Sequence, residues 1–287
     1  MRFALNLTDA TNTHIKYQVS KFPDGQQSIT ITDISEYTKN IKSNPIIQIS
    51  SRMNSFKDVE LIICANQALR EMGIENIELF VPYFIGGRSD RKFFNGSTNY
   101  LKNVICPIIN SQGFKKVHVL DPHSDVLEAC LTNFVKINNF HLVDDALSYL
   151  IGDDDDNKVM LVSPDAGALK KVFDVAKEFG IEKVITASKI RDMKTGNIIR
   201  TELPTMDLRG IEHILIIDDI CDGGRTFVEL AKAIKEITQI PIYLVVTHGI
   251  FSAGFGELNN YFERIYTTNS IADSFEGGDI VNIKTIF

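Results

Sequence analysis

The sequence predicts an α/β protein made of two related domains, each with a mainly parallel sheet flanked by helices. A buried strand, a polar loop and a helix recur in the same order on either side of about residue 140. Several strands are continuous apolar runs, which is typical of parallel strands covered on both faces. These strands end in polar residues, at the edge where open α/β sheets bind ligands. We therefore predict domains at 1–139 and 140–287.

Composition restricts the class of protein and its partners. The 287 residues are 44% hydrophobic and 23% charged, as in ordinary globular proteins, and the net charge of −7 disfavours nonspecific nucleic-acid binding. No apolar run is long enough to span a bilayer, and the N-terminus lacks the features of a signal peptide. Four scattered cysteines without a CxxC pair indicate neither a zinc site nor a disulfide framework. We expect a cytoplasmic protein with a small-molecule substrate and no nucleic-acid or membrane partner.

The first domain is predicted to open with a strand and then a pair of strands around the turn Pro23-Asp24-Gly25. Gly73 is a good stop for the first long helix. Strands are predicted at 2–7, 17–22, 28–34, 45–50 and 77–84, and helices at 59–72 and 101–109. The stretch VHVLDPHSDVLEAC then repeats the order of strand, polar loop and helix.

The second domain is predicted to begin with a short helix at 140–150. The acidic run 153–156 reads as a solvated turn, because it lacks the glycine and the terminal glutamate of a calcium loop. Two extended segments around 194–197 form a hairpin with basic residues near its tip. The remaining strands, two of them followed by helices, lie in the stretches 159–180, 213–234, 241–252 and 265–271, the last of which is the final predicted strand.

The stretch HILIIDDICDGGRTFVELAKAI at 213–234 is the most informative one. Its apolar run 214–217 predicts a buried strand, followed by a binding loop at 218–226 and an amphipathic helix. Glycines let the backbone approach a ligand, and a helix start presents amides and a positive dipole end to an anion. Asp218 and Asp219 would repel a phosphate unless they face sugar hydroxyls or a divalent cation. A sugar phosphate would satisfy both the phosphate-binding turn and the aspartates. The alternative is an ordinary turn whose aspartates cap the helix.

Other strand ends carry residues suited to phosphate or metal. The segment RSDRK at 88–92 places three cations after a strand, although a solvated loop has the same composition. His123 is placed to meet a metal or a nucleotide, or else to cap and pack the next helix. Asp165 ends another strand, with Gly167 in its loop. The basic hairpin is either a soluble edge or a lid over a polyphosphate.

Eight short motifs agree, in order, with one family. They are FPDG, VPYF with RSDRK, DPHS, VSPDAG, SKIR, IIDDICDGGRT, THGIFS and TTNSI, and together they span 22–271. On these motifs the chain resembles the ribose-phosphate pyrophosphokinases, in which each subunit holds two type I phosphoribosyltransferase-like domains. The resemblance implies transfer of the β,γ-diphosphoryl group of ATP to the 1-hydroxyl of ribose 5-phosphate, giving PRPP and AMP. It also implies Mg²⁺ as cofactor and a homo-oligomer, either a dimer or a hexamer.

The resemblance assigns a role to residues of each motif by matched position. Ribose phosphate would be held by Asp218, Asp219, Asp222, Gly223, Gly224 and Thr226, and we add Arg225 of the same loop to this set as a cation of this chain's own. The nucleotide would contact Phe22, Asp24 and Arg88, and we add Gln26, Ser89 and Asp90 of the same two motifs to this set. Mg²⁺ would be bound by His123 and Asp165. The catalytic residues would be Lys189 and Arg191, on a mobile loop.

Three positions depart from the family's pattern and leave alternatives open. Gln26 and Ser89 replace residues associated with adenine recognition, and Arg225 stands where the family has glycine. The extra guanidinium would bind the substrate phosphate or reach a bulkier acceptor. The alternatives are the same transfer to a larger acceptor such as ADP-ribose, a catalytically silent regulatory homologue, and a phosphoribosyltransferase that consumes PRPP. The last of these leaves RSDRK and DPHS without a role.

Overall fold

A computed structural model describes residues 1–151, 158–191 and 198–287, and these form two compact units. Unit 1 comprises Met1–Asn138 with Phe287, and unit 2 comprises Asn139–Ile286. Each unit is built on a parallel sheet flanked by helices, which confirms the predicted fold class. Within the described ranges, none of the helices combines the length and the apolar character needed to cross a membrane.

Unit 1 has a five-stranded parallel sheet and a separate antiparallel hairpin. Across the sheet, the strands are β1 (Arg2–Asn6), β4 (Ile46–Ser50), β5 (Ile77–Phe80), β6 (Val117–Leu120) and β7 (Phe134–Ile137). The hairpin pairs β2 (Lys16–Lys21) with β3 (Gln27–Asp33). The helices are α1 (Ser35–Lys39), α2 (Phe56–Glu71), α3 (Cys106–Ser111), preceded by a π-helical turn at Leu101–Ile105, and α4 (Val126–Cys130).

Unit 2 has a six-stranded parallel sheet, again with a separate hairpin. Across the sheet, the strands are β15 (Val281–Lys284), β14 (Arg264–Thr268), β13 (Ile242–Gly249), β12 (His213–Cys221), β8 (Val159–Ser163) and β9 (Val184–Thr186). The hairpin pairs β10 (Ser188–Arg191) with β11 (Ile198–Glu202). The helices are α5 (Phe140–Ile151), α6 (Leu169–Phe179) and α7 (Arg225–Lys235).

Helix α2 begins at Phe56, earlier than the predicted residue 59, because a capping box sets its start. Ser55 is the N-cap, and its backbone amide donates to Asp58 Oδ2 at 2.7 Å. Val59 and the apolar residues that follow it at helical spacing are buried against the core of unit 1. The apolar spacing therefore locates the buried face of the helix, while the polar cap decides where the helix begins.

Strand β12 is covered on both faces, as its apolar run predicts. Ile214 and Ile216 pack with residues of α7, whereas Leu215 and Ile217 pack with residues of α5 and α6. All four side chains are fully buried, and burying an aliphatic side chain of this size stabilises a fold by about 1.5–3 kcal/mol. The strand lies between β8 and β13, so its carboxyl end is held firmly at the centre of the sheet.

The structure differs from the local predictions at several strands. The strand predicted at 77–84 ends at Phe80, so VPYF is a loop. Strand β7 has no predicted counterpart, and β15 follows the strand that is predicted to be the last. Both missed strands lie at sheet edges and are only partly buried, so they lack the apolar run of a central strand. The acidic run 153–156 and the hairpin tip at 192–197 lie outside the described residues.

Candidate active site

The carboxyl end of β12 carries the acidic pair. A loop starting at residue 218 is a wrong prediction, since β12 continues to Cys221 and both Asp218 and Asp219 lie within the strand. Pairing with β13 extends through Ile220 and Cys221, which keeps this segment extended. Successive side chains of a strand point to opposite faces of the sheet. The two side chains therefore leave the backbone in different directions at the end of the strand.

Asp219 is the more buried member of the pair. It is 6% exposed, and its Oδ1 lies 3.5 Å from Nζ of Lys171 on α6. Its backbone amide donates to Asp218 Oδ1 at 2.8 Å. Burial, followed by the negative charge of Asp219, raises the pKa of Asp218 well above its ordinary value. A hydroxyl or a cation that reached Asp218 would offset this electrostatic cost.

The turn between β12 and α7 has an open backbone next to a helix start. Gly224 has φ of +77°, and a Cβ there would lie 3.2 Å from Leu258, so both conformation and space require glycine. Gly223 is exposed, and a Cβ there would come no closer than 3.7 Å to a neighbouring atom. Arg225 is exposed at the first position of α7, and the half-buried Thr226 follows it. The first amides of a helix lack partners within the helix, so this turn suits a phosphate.

The loop after β13 contacts the start of this turn. Ser252 Oγ donates to Asp222 Oδ1 at 2.6 Å. Closer to the core, His248 Nδ1 and Ser270 Oγ lie 2.9 Å apart, and both residues are buried. Sequence reasoning gives no role to Ser252 or to Lys171, because each contact joins residues far apart in the chain. The THGIFS motif is a signal for Ser252, whereas Lys171 has none beyond its place on a predicted helix.

Asp165 lies at the carboxyl end of β8, the strand next to β12. Its Oδ1 accepts hydrogen bonds from the backbone amides of Gly167 and Ala168, at 2.9 and 3.2 Å. Its carbonyl oxygen accepts a bond from Ser163 Oγ at 2.7 Å. These bonds orient the carboxylate at the same edge of the sheet that carries Asp218.

The hairpin of β10 and β11 leaves the sheet at this edge. Strand β9 ends at Thr186, and the amide of Ala187 donates to the carbonyl of Ser163, the last residue of β8, at 2.9 Å. Lys189 pairs with Thr201 across the hairpin. The backbones of Lys189 and Arg191 thus follow the predicted hairpin, while their side chains lie outside the described part of the structure.

In unit 1, the structure brings together two of the predicted loops, RSDRK and DPHS. Ser124 Oγ donates to Asp90 Oδ2 at 2.6 Å. A Cβ on Gly87 would lie 3.3 Å from the carbonyl oxygen of Phe84 and 3.6 Å from His123 Cβ, so the loop that bears Arg88 and Ser89 passes close to His123. These loops follow the neighbouring strands β5 and β6, as parallel strands require.

The FPDG turn occupies the tip of the β2–β3 hairpin. The amide of Phe22 donates to the carbonyl of Gln26 at 2.9 Å, and the amide of Gln26 donates to Asp24 Oδ1 at 3.1 Å. Gln27 Nε2 anchors the hairpin to Glu60 of α2 at 3.2 Å. Phe22 stays 51% exposed. The turn is therefore well formed and presents an aromatic ring to solvent.

The candidate metal ligands do not form a preassembled cage. Among the described residues, no group of three or more His, Cys, Asp or Glu side chains is arranged to hold a metal ion. His123 and Asp165 belong to different units, and each offers one donor. Mg²⁺ usually takes one or two protein carboxylates together with substrate phosphates and water. A single carboxylate such as that of Asp165 therefore suits a magnesium ion that arrives with a polyphosphate.

Comparison with known proteins finds similar sequences along nearly the whole chain. Residues 134–249 match the model of the phosphoribosyl transferase domain. A ribose-phosphate pyrophosphokinase of Thermococcus kodakarensis is 25% identical over 275 residues, which cover 94% of this chain and 90% of the relative. One of Vibrio parahaemolyticus is 25% identical over 289 residues, covering 99% and 86%.

A solved structure agrees with these sequence relatives at the level of the fold. The crystal structure of phosphoribosylpyrophosphate synthetase from Mycobacterium smegmatis matches with a TM-score of 0.76 and 14% identity, covering 96% of this chain and 88% of that one. The resemblance read from eight motifs is thus confirmed: residues 134–249 match the phosphoribosyl transferase domain, and the chain is similar over nearly its whole length to ribose-phosphate pyrophosphokinases.

Proposed function

We propose that this protein transfers the β,γ-diphosphoryl group of ATP to the 1-hydroxyl of ribose 5-phosphate, giving PRPP and AMP. The observation that carries this proposal is the sequence similarity to ribose-phosphate pyrophosphokinases across both units. The edge of unit 2 formed by the carboxyl ends of β8 and β12 supports it. An acidic strand end and a phosphate-compatible turn follow each other there, as a sugar phosphate requires.

Ribose 5-phosphate is proposed to bind at the end of β12. The phosphate lies in the turn 222–226, where Gly223 leaves the backbone open and Arg225 adds a cation. The ribose hydroxyls donate to the carboxylates of Asp218 and Asp219, which would otherwise repel the phosphate. Lys171 Nζ lies 3.5 Å from Asp219 Oδ1 and places a positive charge beside this acceptor.

ATP is proposed to bind through the loops of unit 1. Arg88, Ser89 and Asp90 contact the nucleotide, with Phe22, Asp24 and Gln26 from the FPDG turn. The exposed ring of Phe22 offers a flat apolar surface to a base. The bond between Ser124 and Asp90 fixes the distance between the nucleotide loop and the loop of His123. Gln26 and Ser89, the two residues that depart from the family's pattern, thus lie in the loops proposed to bind the nucleotide.

Mg²⁺ is proposed as the cofactor, held by His123 and Asp165 together with the diphosphate of ATP. When bound, the ion neutralises charge on the phosphate oxygens and aligns the diphosphate. The hydrogen bonds from Gly167 and Ala168 use one oxygen of Asp165, and its carboxylate remains partly exposed at the edge of the sheet.

The proposed reaction is a displacement at the β-phosphorus. The oxygen of the 1-hydroxyl forms a bond to the β-phosphorus, the bond from that phosphorus to the α,β-bridging oxygen breaks, and AMP leaves with this oxygen. The hydroxyl proton passes to solvent, so no strong general base is assigned. Lys189 and Arg191 are proposed to stabilise the negative charge that builds up on the phosphoryl oxygens. Closure of their hairpin over both substrates would exclude water, whose attack would waste ATP.

AMP release from ATP, measured against a panel of acceptors at saturating Mg²⁺, tests the proposal. We expect AMP and PRPP with ribose 5-phosphate, and far less AMP with ribose or with no acceptor. ADP-ribose is a necessary arm, because the exposed Arg225 leaves room for a bulkier acceptor. No AMP with any acceptor would overturn the proposed function, and AMP with ADP-ribose alone would replace the substrate.

The cellular compartment and the oligomeric state are also proposals. We place the enzyme in the cytoplasm, because its four cysteines are free thiols and a reducing compartment preserves them. A homo-oligomer, either a dimer or a hexamer, is proposed from the same family relationship. Sedimentation of the purified protein distinguishes the two states.

A further inference from the structure

One serine of the loop after β13 donates hydrogen bonds to the start of the proposed ribose-phosphate turn. We infer that Ser252 is a positioning residue, which fixes Asp222 and with it the turn 222–226 for the sugar phosphate. This inference rests on the function proposed above. It extends that function to a residue outside the turn, one that reaches the substrate only through Asp222.

Ser252 holds Asp222 at two points. Its hydroxyl donates to Oδ1 of Asp222 at 2.6 Å, and its backbone amide donates to the carbonyl oxygen of Asp222 at 3.1 Å. The first distance is in the range of charge-assisted bonds. A carboxylate and a carbonyl held by one residue lose their freedom to rotate independently. Because the bond lies at the surface, its effect is on orientation more than on stability.

A strained residue aims Ser252 at Asp222. Phe251 has φ of +50°, a left-handed conformation that bulky residues rarely adopt. The amides of Ile250 and Phe251 both donate to the carbonyl oxygen of Cys221, at 2.8 and 3.2 Å, and so attach the loop to the end of β12. The bend lies directly before Ser252, whose hydroxyl meets Asp222. Strain of this kind persists where the surroundings enforce it, and it is common at binding sites.

Aromatic packing enforces the bend. The ring centroid of Phe251 lies 4.7 Å from that of Phe255 and 4.9 Å from that of Phe275. Phe251 is 6% exposed. On the remaining side the ring covers Gly249, where a Cβ would lie only 2.1 Å from Phe251 Cε2. The packed ring therefore supports the bend that directly precedes Ser252.

Substitution of the serine tests the inference. Ser252→Ala should raise KM for ribose 5-phosphate about five- to tenfold, the range expected when a carboxylate loses a donor at the surface. It should leave KM for ATP within about twofold, because the nucleotide is proposed to bind unit 1. Ser252→Thr keeps the hydroxyl and should restore most of the affinity. Ser274→Ala, at an exposed serine of the same unit, is the matched control and should behave as wild type.

A second variant tests whether the bend at Phe251 positions Ser252. Gly249→Ala keeps the serine, but its added Cβ pushes the Phe251 ring away and should draw the Ser252 hydroxyl out of reach of Asp222, so it should give the same change in KM. The double variant should be no worse than the more damaged single one, because both act on one contact. Thermal unfolding of each protein separates this effect from misfolding.

Direct binding keeps this inference separate from the proposed reaction. Calorimetry with ribose 5-phosphate alone should show the same five- to tenfold loss for Ser252→Ala, whether or not AMP is formed. If wild type and Ser252→Ala bind ribose 5-phosphate equally, or if the Ser274→Ala control loses as much, Ser252 has no positioning role. An active enzyme with that result would leave the proposed function standing and overturn only this inference.

Discussion

At the scale of single residues, the carboxylate of Asp218 lowers the stability of the fold, while it is proposed to strengthen substrate binding. Burial and the neighbouring Asp219 raise its pKa, which means that the folded protein holds the carboxyl proton more tightly than the unfolded chain does. As pH rises from the ordinary pKa of an aspartate to the raised pKa of Asp218 in the folded protein, the free energy of unfolding decreases, because ionisation is less favourable in the folded state. Above that window the cost is constant. The carboxylate is thus retained at the expense of stability, as is common for groups that bind a ligand.

Asp218→Asn should therefore stabilise the fold and weaken the substrate complex. We expect the free energy of unfolding at pH 7.5 to rise by about 1 kcal/mol, and this gain to vanish near pH 3, where the wild-type carboxyl is protonated in both states. We expect KM for ribose 5-phosphate to rise about tenfold, because a charged acceptor is lost. Denaturant melts at the two pH values and initial rates measure these effects. A variant less stable than wild type at pH 7.5 would contradict the electrostatic reading.

At the scale of elements, strands with buried apolar residues are readable from sequence, whereas the partly buried edge strands β7 and β15 are not. The apolar run of β12 predicts a strand covered on both faces, and the structure has one. The same run does not reveal that the strand continues through Asp218, because that depends on pairing of Ile220 and Cys221 with β13. Edge strands β7 and β15 carry too little buried surface to form a pattern. Side-chain contacts such as that of Ser252 with Asp222 depend on the whole fold.

The hairpin of β10 and β11 carries Lys189 and Arg191, the two residues proposed to be catalytic. Lys189→Ala should lower kcat by at least about 100-fold, the loss typical when a donor to developing charge is removed. Binding of ribose 5-phosphate alone should stay within about twofold, because a lid cation acts mainly in the transition state. Lys177→Ala, on the exposed face of α6, is the control. Equal damage to binding and to kcat would show that Lys189 is a ground-state contact.

At the scale of the whole molecule, folding and metal binding are expected to be separate. Each unit has its own sheet and its own buried core, and the described residues contain no cluster of three or more metal-ligating side chains. Mg²⁺ is thus proposed to enter with ATP and not to hold the chain together. A structural metal would instead contribute directly to folding free energy.

Chelation of divalent metal should therefore abolish turnover without unfolding the protein. With excess EDTA, we expect AMP release to fall to background and to return when Mg²⁺ is restored. We expect the midpoint of thermal unfolding of the substrate-free enzyme to move by less than about 2 °C, since a contribution of 1 kcal/mol would shift it by about 2–4 °C or more for domains of this size. Calorimetric unfolding with and without EDTA provides the comparison. A drop of several degrees on chelation would reveal a metal bound by protein groups alone, and the cofactor would then have a structural role as well.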